Sequence, residues 1–131
     1  MQPLESRIHY KFRNSLLLAE ALTHPSLAYE SQKPYFDNQR LEFLGDGLLE
    51  LVTKYYLYRR FPKENEGFMT EKKIAIVKNE AIGRIAMEMH LNKWLILSKH
   101  AEEKKIRTNL KKLGCLFESF LGALFLDCNK T

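Results

Sequence analysis

Two carboxylates four residues apart are the first feature of this sequence that could do chemistry. Glu42 and Asp46 lie in the segment NQRLEFLGDG, residues 38–47, where apolar residues recur at spacings of three and four. That period predicts an amphipathic helix over about residues 38–60. Its apolar stripe consists of Leu41, Leu44, Leu48, Val52 and Tyr55. On this helix Glu42 and Asp46 are stacked one turn apart and repel each other, so they are either solvated or hold a cation between them.

A third carboxylate lies in the segment LGCLFESFLGALFL, residues 113–126, which is apolar on nearly every side of a helix. Such a helix is expected to be buried. Its single acid, Glu118, then needs a partner, a metal ion or an opening to water, because burying an unpaired carboxylate is unfavourable by several kcal/mol. If the two helices pack together, Glu118 joins Glu42 and Asp46 around a divalent cation. Three carboxylates without histidine favour Mg²⁺ or Mn²⁺ over zinc.

Composition is typical of one soluble globular domain. The chain has 131 residues, of which 45% are hydrophobic and 28% charged, and its apolar runs are too short to cross a bilayer. A net charge of +5 favours a polyanionic partner, although a lysine excess can also serve solubility alone. Cys115 and Cys128 lack zinc-site or disulfide spacing, and no signal peptide opens the chain. These features predict an intracellular, reducing compartment.

The remaining segments predict further helices and no strand, so the expected fold is all-α. A first helix should begin near Asn14 and end at Pro25, with a loop over residues 26–37. Another should start at Thr70 and present one apolar stripe as far as Met89. The basic stretch over residues 99–112 is expected to be a flexible, solvated loop, or else a contact for phosphate.

Four segments together resemble the ribonuclease III family, in the family's order and spacing. The run NQRLEFLGDGLLE is similar to the family signature NERLEFLGDS, and LGCLFESFLGALFLD resembles the motif ADxFEALIGALYLD. The opening YKFRNSLLLAEALTHPS is similar to YxFxxxxLLxxALTHxS, and FPKENEGFMT to FPxxxEGxLS. The resemblance implies that residues 1–131 form a ribonuclease III endonuclease domain. It also implies that the chain stops before the domain's last helix and carries no double-stranded-RNA-binding module.

The resemblance assigns a Mg²⁺ site, with Mn²⁺ as a substitute, to four acidic positions. Glu42, Asp46 and Glu118 match three of them, and Asp46 and Glu118 are the expected catalytic residues. The fourth, an aspartate three residues before the glutamate, falls on Cys115. A thiol is a poor ligand for a hard cation, so weaker metal binding is expected. Cys115 could also simply fill space in a buried helix.

The resemblance further implies a two-fold homodimer with a valley for double-stranded RNA. Glu66 and Gln39 match accessory positions of that valley. An exposed aromatic residue between two carboxylates is unfavourable, and the family places it in a pocket of the second subunit, which makes Phe43 the predicted dimer contact. The candidate RNA-binding residues are basic, and the alternative for each is a solvated surface. They are Lys72, Lys73, Lys104, Lys105 and Arg107.

The function implied is that of an endonuclease cutting double-stranded RNA into products with 5′-phosphate and 3′-hydroxyl ends. Such an enzyme would recognise the duplex mostly by its shape, phosphates and 2′-hydroxyls. One alternative is a relative that has lost cleavage and binds structured RNA or helps assemble a ribonucleoprotein. A second alternative is a purely structural helical dimer, which would leave the buried Glu118 without a role. Whether Cys115 leaves a competent metal site separates the first two.

Overall fold

The computed structural model describes residues 4, 8, 10–30 and 36–128, except for the side chains of residues 28–30, and these form an all-helical fold. The helices are α1 (Ser15–Leu22), α2 (Pro25–Glu30), α3 (Gln39–Arg60), α4 (Glu66–Val77), α5 (Asn79–Glu88), α6 (Lys99–Glu103) and α7 (Leu110–Cys128). Short 3₁₀ turns cover Leu91–Trp94 and Ile106–Thr108. Within these ranges the extended pairing is a single isolated bridge between Thr23 and Ile96, so the all-α prediction is confirmed.

Helix α7 is the central element of the core, as its apolar sequence predicted. It packs against α3, α5 and α1, and its buried apolar side chains join those of the surrounding helices. A buried hydroxyl fixes it to α1, because Ser119 Oγ donates a 2.8 Å hydrogen bond to the carbonyl oxygen of Ala21. Burial or partial burial of residues 113–124 explains the nearly continuous apolar composition of this segment, whereas Phe125 and Leu126 at its end are exposed.

Two glycines let α3 and α7 approach to backbone contact. A Cβ added at Gly45 would overlap the carbonyl oxygen of Glu118, and one added at Gly122 would overlap that of Leu41. No other residue type fits at either position without moving a helix. This contact sets the distance between the helix that carries Glu42 and Asp46 and the helix that carries Glu118.

Helix α3 begins where the sequence predicted, but its C-terminal half is not buried as the apolar stripe suggested. The Oδ1 atom of Asp37 accepts a 2.9 Å hydrogen bond from the Gln39 amide at its first turn. Farther along, Val52 is 55% exposed and Tyr55 58% exposed, whereas Thr53 and Leu57 are buried. The side of the C-terminal half of α3 that faces the core is therefore narrow, and an apolar surface of this helix remains exposed to solvent.

Two local predictions were wrong. The first helix ends at Leu22, and Pro25 begins α2, where a missing N–H is tolerated in the first turn. The helix predicted from Thr70 to Met89 is divided at Lys78, whose ψ of 134° is extended. The break allows α5 to turn onto α7, where Gly83 lies against the backbone of Leu110.

The basic stretch over residues 99–112 is ordered rather than a loop. Ser98 caps α6 by accepting a 3.1 Å hydrogen bond from the Ala101 amide. Arg107 then pairs with Glu102 at 2.8 Å and donates a 2.6 Å hydrogen bond to the Asn92 carbonyl. Local capping and one partly exposed guanidinium pair give this charged segment a defined path into α7.

Candidate active site

The acidic residues of α3 and α7 converge beside the glycine contact. Donor atoms of Glu42, Cys115 and Glu118 all lie within 4.8 Å of one another. Asp46, one turn beyond Glu42 on α3, is a hydrogen-bonding neighbour of Glu118. The predicted convergence of two helices on one acidic cluster is thus present, and Cys115 lies inside it.

Glu118 is the buried member of this cluster. Its side chain is 7% exposed, while Asp46 faces solvent. Burial raises the pKa of Glu118 to about 8, and the hydrogen bond to Asp46 and the negative charges of Asp46 and Glu42 act in the same direction. Without a cation the Glu118 carboxyl therefore holds a proton near neutral pH and donates it to Asp46.

Cys115 and Glu42 interact directly. The Cys115 thiol and the Glu42 carboxylate share a hydrogen bond. Partial burial raises the pKa of Glu42, although this bond and the charge of Lys112 act against the increase. Burial and the Glu42 charge raise the pKa of the Cys115 thiol to about 11. In the metal-free protein the sulfur is thus protonated at neutral pH.

Lys112 lies near the site, although the sequence placed it only within the basic stretch over residues 99–112 and not beside the acidic cluster. It is exposed on α7, one turn before Cys115, and its charge acts on both Cys115 and Glu42. The spacing of three residues on a helix was the signal that would have placed it there. A positive group at the rim of an acidic cluster is suited to contact a phosphate.

The cluster fits a divalent cation. In the described part of the chain none of the ion pairs involves Glu42, Asp46 or Glu118, so the negative charges are not neutralised by a hydrogen-bonded base. A buried acid beside two further acids is stabilised when a cation enters. Three carboxylates provide hard oxygen donors for Mg²⁺, whereas the Cys115 thiol does not.

Comparison with known proteins assigns the chain to a family. A family model described as Ribonuclease-III-like matches residues 14–131. The chain belongs to the ribonuclease III family. The match includes both helices of the acidic cluster.

Relatives and solved structures in the ribonuclease III family are similar over most of this chain. Ribonuclease 3 of Enterococcus faecalis is 42% identical over 127 residues, covering 95% of this chain and 54% of that protein. Ribonuclease 3 of Aliarcobacter butzleri is 40% identical over 124 residues, covering 95% and 53%. The chain thus spans about half the length of these curated relatives. The crystal structure of the ribonuclease III nuclease domain from Campylobacter jejuni is 32% identical with a TM-score of 0.88, covering 97% of this chain and 83% of that chain. A second structure of that domain, which concerns structural flexibility in the region involved in dimer formation, has a TM-score of 0.88 at 33% identity and covers 95% and 83%.

The residue that the resemblance to the ribonuclease III family assigns to a dimer contact is largely exposed to solvent. Phe43 is 84% exposed on α3. Leu51, Tyr55 and Tyr58 continue an exposed apolar stripe along the same helix. The last three also line an open groove of about 570 Å³ between α3 and α4, and Glu66 lies in its wall. Gln39 is exposed one turn before Phe43.

The predicted RNA-binding residues do not share one environment. Lys73 forms a 2.7 Å ion pair with Glu50, and Lys72 lies 5.3 Å over the Phe68 ring. Arg107 is occupied by the contacts that order its segment. Lys104 and Lys105 are exposed, and the described residues offer them no ion pair. These two and Lys112 remain available to a polyanion.

No helix in the described ranges is both long enough and apolar enough to cross a bilayer.

Proposed function

We propose that this chain is the nuclease domain of an endoribonuclease that cuts double-stranded RNA and requires a divalent cation. Its products would carry 5′-phosphate and 3′-hydroxyl ends. The observation that carries the proposal is the convergence of Glu42, Asp46 and Glu118 at the contact of α3 and α7, open to solvent on the Asp46 side. Membership of the ribonuclease III family and relatives named Ribonuclease 3 support it.

The three carboxylates would hold Mg²⁺, or Mn²⁺ in its place. When bound, such an ion supplies an activated water and neutralises charge at a backbone phosphate. Glu118 is the buried anchor of the set, and Glu42 and Asp46 orient it from the neighbouring helix. Asp46, which is exposed, lies on the side from which RNA can approach. Asp46 and Glu118 are therefore the proposed catalytic residues.

The proposed substrate is recognised through its backbone. An A-form duplex presents phosphates and 2′-hydroxyls on a wide minor groove. Lys104, Lys105 and Lys112 can contact phosphates near the acidic cluster, whereas Lys72, Lys73 and Arg107 would contribute only if their present contacts rearrange.

The proposed location is an intracellular, reducing compartment, and the free thiols of Cys115 and Cys128 support it.

A homodimer is part of the same proposal. The apolar stripe of α3 has Phe43 near one end and the groove residues Leu51, Tyr55 and Tyr58 near the other, about 12 to 22 Å away at 1.5 Å per residue. A two-fold axis midway between them would place each Phe43 in the other subunit's groove. Because Glu66 lines the groove and Phe43 adjoins Glu42, this arrangement brings the partner's Glu66 towards the acidic cluster.

Phe43→Ala should weaken the homodimer by at least about a hundredfold in Kd, because the symmetric interface loses two aromatic anchors. Sedimentation velocity over a dilution series measures this. The matched control is Leu16→Ala, which removes a 67% exposed apolar side chain from α1. An equal effect of the two substitutions, or a wild-type protein monomeric at all concentrations, would refute the Phe43 interface.

A second candidate function is structured-RNA binding without cleavage, and the thiol of Cys115 in the acidic cluster favours it. The discriminating experiment incubates a uniformly labelled RNA duplex with the protein in Mg²⁺ and then Mn²⁺, and maps the product ends. Cutting by the wild-type chain that is specific for the duplex is the expected result. If only Cys115→Asp cuts while both proteins bind the duplex, the binding function is the correct one.

A further inference from the structure

Among the residues that the structure describes, the group of potential metal ligands that lie within 4.8 Å of one another is not the set of three carboxylates. It consists of one oxygen each from Glu42 and Glu118 and the sulfur of Cys115, all within 4.8 Å of one another. Asp46 stands beside this group through its hydrogen bond with Glu118. The helix contact at Gly45 and Gly122 therefore presents a mixed oxygen and sulfur site.

Coordination chemistry decides which ions suit such a set. Zn²⁺ binds thiolate sulfur at about 2.3 Å and carboxylate oxygen at about 2.0–2.2 Å, so two donors on one tetrahedral ion lie about 3.4–3.7 Å apart. Ligand atoms that lie within 4.8 Å of one another reach that spacing through side-chain movements of up to about 1 Å. Three protein ligands with a water in the fourth position make a common zinc arrangement. Mg²⁺ gains nothing from the sulfur.

A second observation indicates that the site takes a cation. Glu118 is 7% exposed, and the group with which it shares a hydrogen bond is another acid, Asp46. Among the described residues neither Glu118 nor Glu42 is in an ion pair, and Lys112 acts on Glu42 only through its charge. A deeply buried acid directed at two further donors, without a basic partner, is the environment of a metal ligand.

We propose that Cys115 makes this centre a thiolate and carboxylate site for a thiophilic divalent cation, of which Zn²⁺ is the representative, bound by Cys115, Glu42 and Glu118. The proposal rests on the metal centre of the proposed function, where this ion would compete with Mg²⁺. As the three metal–ligand bonds form, the S–H proton of Cys115 and the carboxyl proton of Glu118 pass to solvent, and waters leave the ion in exchange for the protein ligands. No oxidation or reduction occurs.

Cadmium is the probe that reports sulfur ligation directly, because a thiolate bound to Cd²⁺ gives an ultraviolet charge-transfer band. Cd²⁺ is titrated into the metal-free 131-residue chain and then displaced by Zn²⁺ or Mg²⁺. We expect a band from one thiolate, displaced by Zn²⁺ at far lower concentration than by Mg²⁺. Cys128→Ser, which removes the exposed thiol at the end of α7, should keep the band, and Cys115→Ser should lose it.

Cys115→Asp tests the same point in the opposite direction and adds a carboxylate instead of removing a ligand. Its affinity for Cd²⁺ should fall, and its affinity for Mg²⁺ should rise, by at least about tenfold each. Thermal unfolding in the metal-free state shows whether each variant is folded. If Cys115→Ser is unfolded, the Cd²⁺ titration of Cys115→Asp tests the proposal in its place.

The outcomes separate this inference from the proposed function. A band that persists in Cys115→Ser, or that disappears in Cys128→Ser, overturns the inference. Cleavage of duplex RNA with Mg²⁺ by a wild-type chain that shows no band refutes the thiolate site and leaves the nuclease intact. A band in a chain that cuts no duplex RNA refutes the nuclease and supports the thiolate site.

Discussion

Gly45→Ala is expected to destabilise the protein by about 3 kcal/mol or more, although Gly→Ala within a helix normally stabilises. The reason is the backbone contact between α3 and α7, where an added Cβ would overlap the Glu118 carbonyl oxygen. One helix must move away, and the core loses packing along both. The same movement separates Glu42 and Asp46 from Glu118, so metal binding should be lost together with stability.

Chemical denaturation in dilute solution measures the effect, and Gly47→Ala is the matched control. Gly47 lies on the same helix two residues farther on, and its Cβ would meet nothing within 4 Å. That substitution should raise the free energy of unfolding by up to about 1 kcal/mol through helix propensity. Similar unfolding midpoints for the two variants would show that the helices do not approach as closely as described.

Glu118→Gln is expected to abolish RNA cleavage, by at least about a thousandfold, while the protein remains folded. An ion at the proposed site stabilises the transition state by several kcal/mol, and Glu118 is its buried anchor. Glutamine has nearly the same shape and can still donate a hydrogen bond to Asp46, as the protonated carboxyl does. Single-turnover cleavage of duplex RNA with Mg²⁺ measures the loss.

The same substitution should stabilise the metal-free protein at high pH. The pKa of Glu118 is about 8 in the folded state against 4.5 in the reference state, so the folded state holds the proton more tightly. Its contribution to stability is fully present below about pH 4.5 and is lost as pH rises through about 8. Glu118→Gln should therefore match the wild type in acid and exceed it by a few kcal/mol at about pH 9 in the presence of a chelator.

Glu88→Gln serves as the control for both measurements, because this glutamate is exposed at the end of α5. It should change neither cleavage nor the pH dependence of unfolding. Retention of cleavage in Glu118→Gln to within about tenfold would remove Glu118 from the metal centre, since a lost ligand is expected to have a larger effect.

Much of the fold could be predicted because the two central helices carry strong local signals. The period of three and four places the N-terminal half of α3, and the uninterrupted apolar run of α7 predicts its burial. The division between α4 and α5 could not be predicted, because it lies at Lys78 without a glycine or proline and results from packing against α7. The order of the basic segment was also missed, since it depends on capping by Ser98 and on the Arg107 contacts.

For the site, the sequence identified the three acids that come together. The structure adds the contacts between residues that are far apart in the chain. Residues four apart on one helix are neighbours by geometry, so the pairing of Glu42 with Asp46 could be predicted from the sequence. The hydrogen bond of Cys115 to Glu42, across 73 positions of the chain, was not. Nor was the division of the apolar stripe of α3 into a buried face and an exposed one, because periodicity does not distinguish a core from a subunit interface.

The glycine contact between α3 and α7 has an evolutionary consequence. Because main-chain atoms set the distance between the helices, side chains at the acidic cluster can be exchanged without altering the scaffold that presents them. A single substitution at position 115 then changes which ion the site prefers, and a reversal restores it. In this chain, the metal preference of the site can therefore change through residue 115 alone, while selection on the two glycines keeps the helix spacing constant.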